Sequence, residues 1–110
     1  MVDEQDNALP EEVNWQRRLE CIQDEHSGFM GFIYEKFGAG QIPMSSRISI
    51  SKKIQSVLSA SGVTVCEPDA ISCAVAENAV FQGRKLLLSL HPELQQELET
   101  RVPRARSREK

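Results

Sequence analysis

The chain has 110 residues, 40% of them hydrophobic and 26% charged, with a formal net charge of −3. That length predicts one domain, burying about two-thirds of the surface its unfolded chain would expose. The composition is close to ordinary globular usage and excludes a wholly disordered chain, and apolar runs such as Leu86-Leu87-Leu88 fall far short of the roughly 18 residues that span a bilayer.

Residues 1–12, MVDEQDNALPEE, carry five acidic groups and no basic one. They lack the apolar centre of a signal peptide, so the expected location is the cytoplasm. Residues 1–10 read as an acidic solvated tail, 11–102 as a single helical domain and 103–110, PRARSREK, as a basic tail. Its four basic groups set against Glu109 supply only weak, salt-sensitive attraction to phosphate, so a solubilising role is expected.

The first element spans about 11–37. Trp15, Leu19, Ile22, His26, Phe29, Ile33 and Phe37 follow one another at spacings of 4, 3, 4, 3, 4 and 4, an apolar stripe close to a heptad seam. Pro10 suits the first turn, Glu11 and Glu12 favour the positive end of the helix dipole, and Gly38 is placed to cap the C-terminus. Residues 28–40, GFMGFIYEKFGAG, hold four of the six glycines, three of the four phenylalanines and the one tyrosine. Gly28 and Gly31 each cost nearly 1 kcal/mol relative to alanine within a helix. Small residues three apart allow a second helix to approach closely, with Phe29, Phe32 and Tyr34 bordering the contact.

The next segment, RISISKKIQSVLSASG, offers two patterns. In one, Ser45 or Ser46 caps a helix that turns Ile48, Ile54, Val57 and Leu58 inward and closes at Gly62. In the other, residues 47–51 form a short alternating strand before a shorter helix. A mainly helical segment is expected, beginning between Ser45 and Ser51, with the following VTVC extended. EPDAISCAVAENAVFQGRKLLLSL then starts with Pro68 at the first helical position and Asp69 just inside. Ile71, Val75, Ala79 and Leu86 lie near one face, and further apolar residues widen the arc until the helix is apolar nearly all round. Such a helix is central or is covered by a second chain. His91-Pro92 breaks it, since proline lacks the N–H and disfavours α geometry at His91. A last helix, about 92–102, carries Leu94, Leu98 and Val102 on one side. The fold expected is all-α, about four helices in a dimeric bundle.

Catalytic and ligand-binding signatures are weak. His26 falls on the apolar stripe, where a hydrogen-bonded core histidine is expected, and His91 sits where it would cap a helix junction. Neither neighbours a nucleophile motif. There is no H-E-x-x-H, E-x-x-H or calcium-loop pattern, and GAGQIP lacks the lysine and hydroxyl of a P-loop. Cys21, Cys66 and Cys73 form no C-x-x-C pair, and no disulfide is expected. No enzyme activity, cofactor or metal follows. Nucleic-acid binding is disfavoured too: in the nearest thing to a helix-turn-helix, Glu67 and Asp69 stand where a recognition helix meets phosphate. A faint ribbon-helix-helix pattern would rely on Arg47, Lys52 and Lys53, and the acidic overall charge opposes it.

With QRRLECIQDEHSGFMGFIYEKF followed by AENAVFQGRKLLLSLHPELQQELE, the chain resembles the small helical anti-activators of Pseudomonas-type bacteria over residues 11–102, in size, acidity and helical make-up. That resemblance implies a protein that binds the ligand-binding domain of a LuxR-class quorum-sensing transcription factor and blocks its dimerisation or DNA binding. It transfers no individual residue. From their chemistry alone, Trp15, Phe29, Phe32 and Tyr34, with Arg17 and Arg18 alongside, are the expected partner-binding residues. The competing expectations are a small DNA-binding regulator and a dimeric secretion-type chaperone that holds an extended peptide.

Overall fold

The computed structural model describes residues 10–62 and 67–104, with side chains from Trp15 onward. Residues 1–9 and 105–110 of the two tails and the VTVC connection, with Cys66, lie outside the described residues. Among the described residues four α-helices follow one another: α1 Pro10–Gly38, α2 Met44–Ser61, α3 Ala70–Leu90 and α4 Gln95–Arg101, with a 3-10 turn, Pro92–Leu94, between the last two. No strand occurs among the described residues, so residues 47–51 are helical.

Cross-chain bonds fix the topology. Arg18 meets Glu77 and Glu25 meets Arg84, so α1 and α3 run parallel, stepping seven residues on each helix between the two pairs. Ser46 meets His91 and Ile54 meets Gly83, so α2 runs antiparallel to α3. Lys36 meets Glu97 while Gly28 faces Val102, so α4 runs antiparallel to the second half of α1. The result is an up-down-up-down arrangement with α3 packed against both α1 and α2.

The molecule measures 55 × 31 × 19 Å, about two helix diameters in its thinnest direction. Its core divides accordingly. The larger cluster gathers Phe29, Phe32 and Ile33 of α1, Ile50 and Ile54 of α2, Leu87 of α3 and Leu98 of α4. The smaller one joins Leu19 and Ile22 of α1 to Cys73, Ala76 and Val80 of α3, with Trp15 and Cys21 packed against it.

The helix ends follow local rules, with several shifts from expectation. Gly38 is the last residue of α1, and the left-handed backbone falls at Gly40, with φ +79°. Helix α2 opens after Pro43, which stands at the N-cap without a side-chain bond, so neither Ser45 nor Ser46 caps it. Gly62, at φ +70°, closes that helix. Asp69 is the N-cap of α3 rather than its first turn: its carboxylate accepts from the Ser72 N–H at 2.7 Å, and this bond holds its pKa below the ordinary aspartate value. The His91-Pro92 break stands as expected, with His91 at the C-cap of α3, and Leu94, Leu98 and Val102 all buried.

Two phase errors are corrected. Ile48 is 43% exposed and Ile50 is buried, because the inward arc of α2 runs Ser46, Ile50, Ile54 and has a serine, bonded to His91, at its first position. Ile71 is 62% exposed, because the buried arc of α3 runs Ser72, Ala76, Ala79, Gly83, Leu87. The close helix approach is also not where the first helix suggested. A Cβ on Gly31 would meet nothing within 4 Å, and one on Gly28 would touch Val102 at an ordinary 3.6 Å. The tight position is Gly83, where a Cβ would stand 2.9 Å from Ile54 and 3.2 Å from Phe29. The bare backbone of α3 is where a side chain of α2 and one of α1 come together.

Candidate functional site

The six residues expected to bind a partner do not form one surface. Phe29 and Phe32 are buried, at 0% and 2% exposure, inside the chain's own core. That corrects the expectation of a free aromatic border: Phe29 packs on α3 at Gly83, and α4 covers Phe32. It lies across the second half of α1, placing Lys36 and the Arg101 guanidinium 5.2 and 5.3 Å from the Phe32 ring. Trp15 is half-buried against the smaller core cluster, and its carbonyl accepts a bond from the Cys73 thiol at 3.4 Å. Arg18 is spent on Glu77, at 3.0 Å, and Arg17 is exposed. Only Tyr34, 51% exposed, presents an aromatic ring to solvent as expected.

Around Tyr34 the fold brings together residues that the sequence keeps apart. The turn from α1 to α2 folds Arg47 back over the end of α1, so its guanidinium carbon stands 5.2 Å from the ring centres of both Tyr34 and Phe37. Its Nη2 donates to the Met44 sulfur at 3.4 Å. Its Nε is buried and has no hydrogen-bond partner. Met44 and Ile48, one helical turn apart on α2, are 45% and 43% exposed beside it. Tyrosine, arginine and methionine are the residue types enriched where protein interfaces bind most strongly. Sequence reading missed this cluster because Met44 and Arg47 belong to no periodic stripe. Their significance arises only when the connector reverses the chain.

The buried polar groups elsewhere hold helices together. Arg84, buried on α3, donates to Glu25 of α1 at 2.9 Å and to the Val102 carbonyl at the end of α4 at 2.8 Å. Desolvation lowers its pKa and the charge of Glu25 raises it back in part. Beside this pair, Glu25, Ala74, Glu77, Asn78, Phe81, Arg84 and Arg104 line a half-open cleft of about 300 Å³. Arg104 lies over the Phe81 ring at 5.6 Å. Glu25 and Glu77 both face arginines there, so the cleft offers a neutralised floor rather than a reactive one. Cys73 is buried and its thiol pKa is raised by desolvation, the opposite of an activated nucleophile. His26 is half-buried, and burial lowers its pKa. Among the described residues no group of three or more His, Cys, Asp or Glu is placed to hold a metal ion. No helix among them is long and apolar enough to cross a membrane.

The chain matches no family model, and no curated protein or solved structure is detectably similar to it.

Proposed function

We propose that the chain is a non-enzymatic helical regulator that captures a transcription factor of the LuxR class and blocks its dimerisation or its access to DNA, and that it does so as a homodimer. The observation carrying this reading is the surface around Arg47: exposed Tyr34, Met44 and Ile48 about a stacked arginine, on a fold whose other buried basic side chains meet carboxylates across helices. Support also comes from the stripe Ile71, Ala74, Asn78, Phe81 on α3, whose outer face carries two bulky apolar residues and gives a second copy a place to pack. An active site would require convergent groups with tuned proton affinities. Cys73 is instead buried with its thiol bonded to the Trp15 carbonyl, His91 is bonded to Ser46 at a helix junction, and His26 and Cys21 are half-buried along α1.

The DNA-binding alternative has less behind it. Lys52 and Lys53 are exposed on α2, but Arg47 is folded onto aromatic rings and Asp69 is committed to capping α3. The test pairs the purified chain with LuxR-class regulators and their operator DNA. The chain is expected to elute as a dimer, to bind the regulator's ligand-binding domain by calorimetry and to dissolve the regulator–DNA complex in a gel shift, without shifting DNA by itself. Regulator–DNA complexes that persist in molar excess of the chain would refute the proposal, and a salt-dependent shift by the chain alone would favour the DNA-binding alternative.

A further inference from the structure

Four basic side chains are buried or half-buried among the described residues: Arg18, Lys36, Arg47 and Arg84. Three of them meet a carboxylate of this chain: Arg18 meets Glu77 at 3.0 Å, Lys36 meets Glu97 at 2.6 Å and Arg84 meets Glu25 at 2.9 Å. Arg47 meets none among the described residues. Its contacts are two aromatic faces, a thioether sulfur and, at Nε, no acceptor at all. A guanidinium in that setting has lost part of its hydration and gained only the modest attraction of ring quadrupoles and a weak sulfur acceptor. Among the described residues no carboxylate neutralises the charge.

We propose that Arg47 is the recognition point of a docking surface rimmed by Tyr34, Phe37, Met44 and Ile48, and that the group it takes is an aspartate or glutamate carboxylate of a protein partner, set beside a bulky apolar side chain. Charge and shape both lead to this occupant. A planar guanidinium stacked over two rings and bonded through Nη2 to Met44 is oriented in advance, its remaining Nη N–H groups suit the oxygens of a carboxylate, and little side-chain entropy remains to be lost on binding. The rim around it is apolar and half-exposed, which suits a hydrophobic neighbour of that carboxylate. A nucleic-acid phosphate fits poorly, because a run of phosphates would need further cations where this surface presents tyrosine, methionine and isoleucine. The identity of the partner as a LuxR-class regulator rests on the proposed function, whereas the carboxylate chemistry rests on the Arg47 environment.

The experiment therefore has two arms on the full chain. In the first, the side-chain Nε–Hε resonance of Arg47 is followed by NMR during titration with acetyl-Asp-Leu-Asp-Phe-amide and, separately, with its acetyl-Asn-Leu-Asn-Phe-amide analogue. The acidic peptide is expected to shift the resonance saturably and the neutral one to need at least roughly tenfold more peptide, as charge-assisted bonds require. Equal responses to both, or none to either, would overturn the proposal. In the second arm, Arg47→Met and Arg47→Lys are compared with the parent chain for regulator binding by calorimetry, with circular dichroism and melting temperature confirming the fold. Losses of roughly 30-fold or more are expected for both, since lysine keeps the charge but not the planar fork. A regulator held equally well by Arg47→Met would overturn the proposal, whatever the peptide does. A parent chain that binds the acidic peptide but no regulator would sink the proposed function while leaving the carboxylate site standing.

Discussion

Replacing Arg84 should unlock three elements at once. The side chain is buried on α3 and joins Glu25 of α1 to the carbonyl of Val102, where α4 ends. The Glu25 and Arg84 side chains are only 8% and 7% exposed. In Arg84→Met the Glu25 carboxylate stays in that setting without its counter-charge, and the Val102 carbonyl loses its donor. Breaking a buried pair from one side costs about 3–5 kcal/mol. A domain of this size has a total stability of about 5–15 kcal/mol, so a loss of that order is a large fraction of what holds the fold. With a urea slope of roughly 1–2 kcal/mol/M the unfolding midpoint, read by circular dichroism, should fall by about 1.5–5 M. The double variant Glu25→Leu, Arg84→Met distinguishes loss of the pair from loss of packing. With both charges gone the desolvation cost disappears, and stability should return to within about 1–2 kcal/mol of the parent, the remainder being the unpaired Val102 carbonyl. A single Arg84→Met variant that costs less than about 1 kcal/mol, or a double variant whose loss is the sum of the two singles, would refute the reasoning.

The remaining predictions concern packing and protonation. Gly31→Ala should raise stability by nearly 1 kcal/mol through helix propensity, since its Cβ meets nothing, whereas Gly83→Ala should lower it by about 1–3 kcal/mol because Ile54 and Phe29 already occupy the space. Urea titration of the two variants checks both signs. Phe32→Ala should cost about 3–5 kcal/mol, as a core residue under α4, while Tyr34→Ala should change stability by less than about 0.5 kcal/mol. The folded pKa of His26 lies below its ordinary value, so its contribution to stability is complete above about pH 6.5 and is lost as the pH falls through the folded value. His26→Phe should flatten the stability curve over that interval. Glu35 and Glu97 are held below the ordinary carboxylate range, Glu35 by its bond from Arg101 and Glu97 chiefly by its bond from Lys36. Their contribution is complete above about pH 4.5 and vanishes as they protonate below it, so Glu35→Gln, Glu97→Gln should remove part of the acid sensitivity.

What the sequence made legible was whatever depends on period and punctuation. The stripe from Leu19 to Ile33 is buried as spaced, Gly62 closes α2, and the proline after His91 ends α3. It was blind to the flank on which a short helix would settle. Phe32 lies off the stripe by period alone, and it is buried in the larger core, where the turn at Pro92–Leu94 brings α4 back and sets Arg101 over its ring. Periodicity also failed where polar residues take inward positions. Ser46, Ser72 and Arg84 are buried with their bonds made, and each pushed the apparent apolar phase of its helix toward Ile48 or Ile71, which the fold leaves outside. The Arg47 cluster could not be found in this way, because it depends on a ring from one helix and a cation from the next meeting across a reversal of the chain.

The two core clusters bear on where binding occurs. At the start of α1 and α3 the interior is built from Leu19, Ile22, Cys73, Ala76 and Val80, a set with two small residues that buries little apolar surface per turn. The Arg18–Glu77 and Glu25–Arg84 pairs, one heptad apart, tie this end together where packing contributes least. At the other end, phenylalanines, isoleucines and leucines from all four helices converge, and Ile42 in the connector is itself 2% exposed. The Arg47 surface sits on that end, on the connector's own anchor. A recognition residue gains affinity from being held in place beforehand, since a partner then loses little by ordering it. The position of Arg47, stacked on Phe37, which packs against the larger core, and away from the thinner arm, satisfies that condition, whereas the exposed residues near Ile71 stand on the part of the fold with the least beneath it.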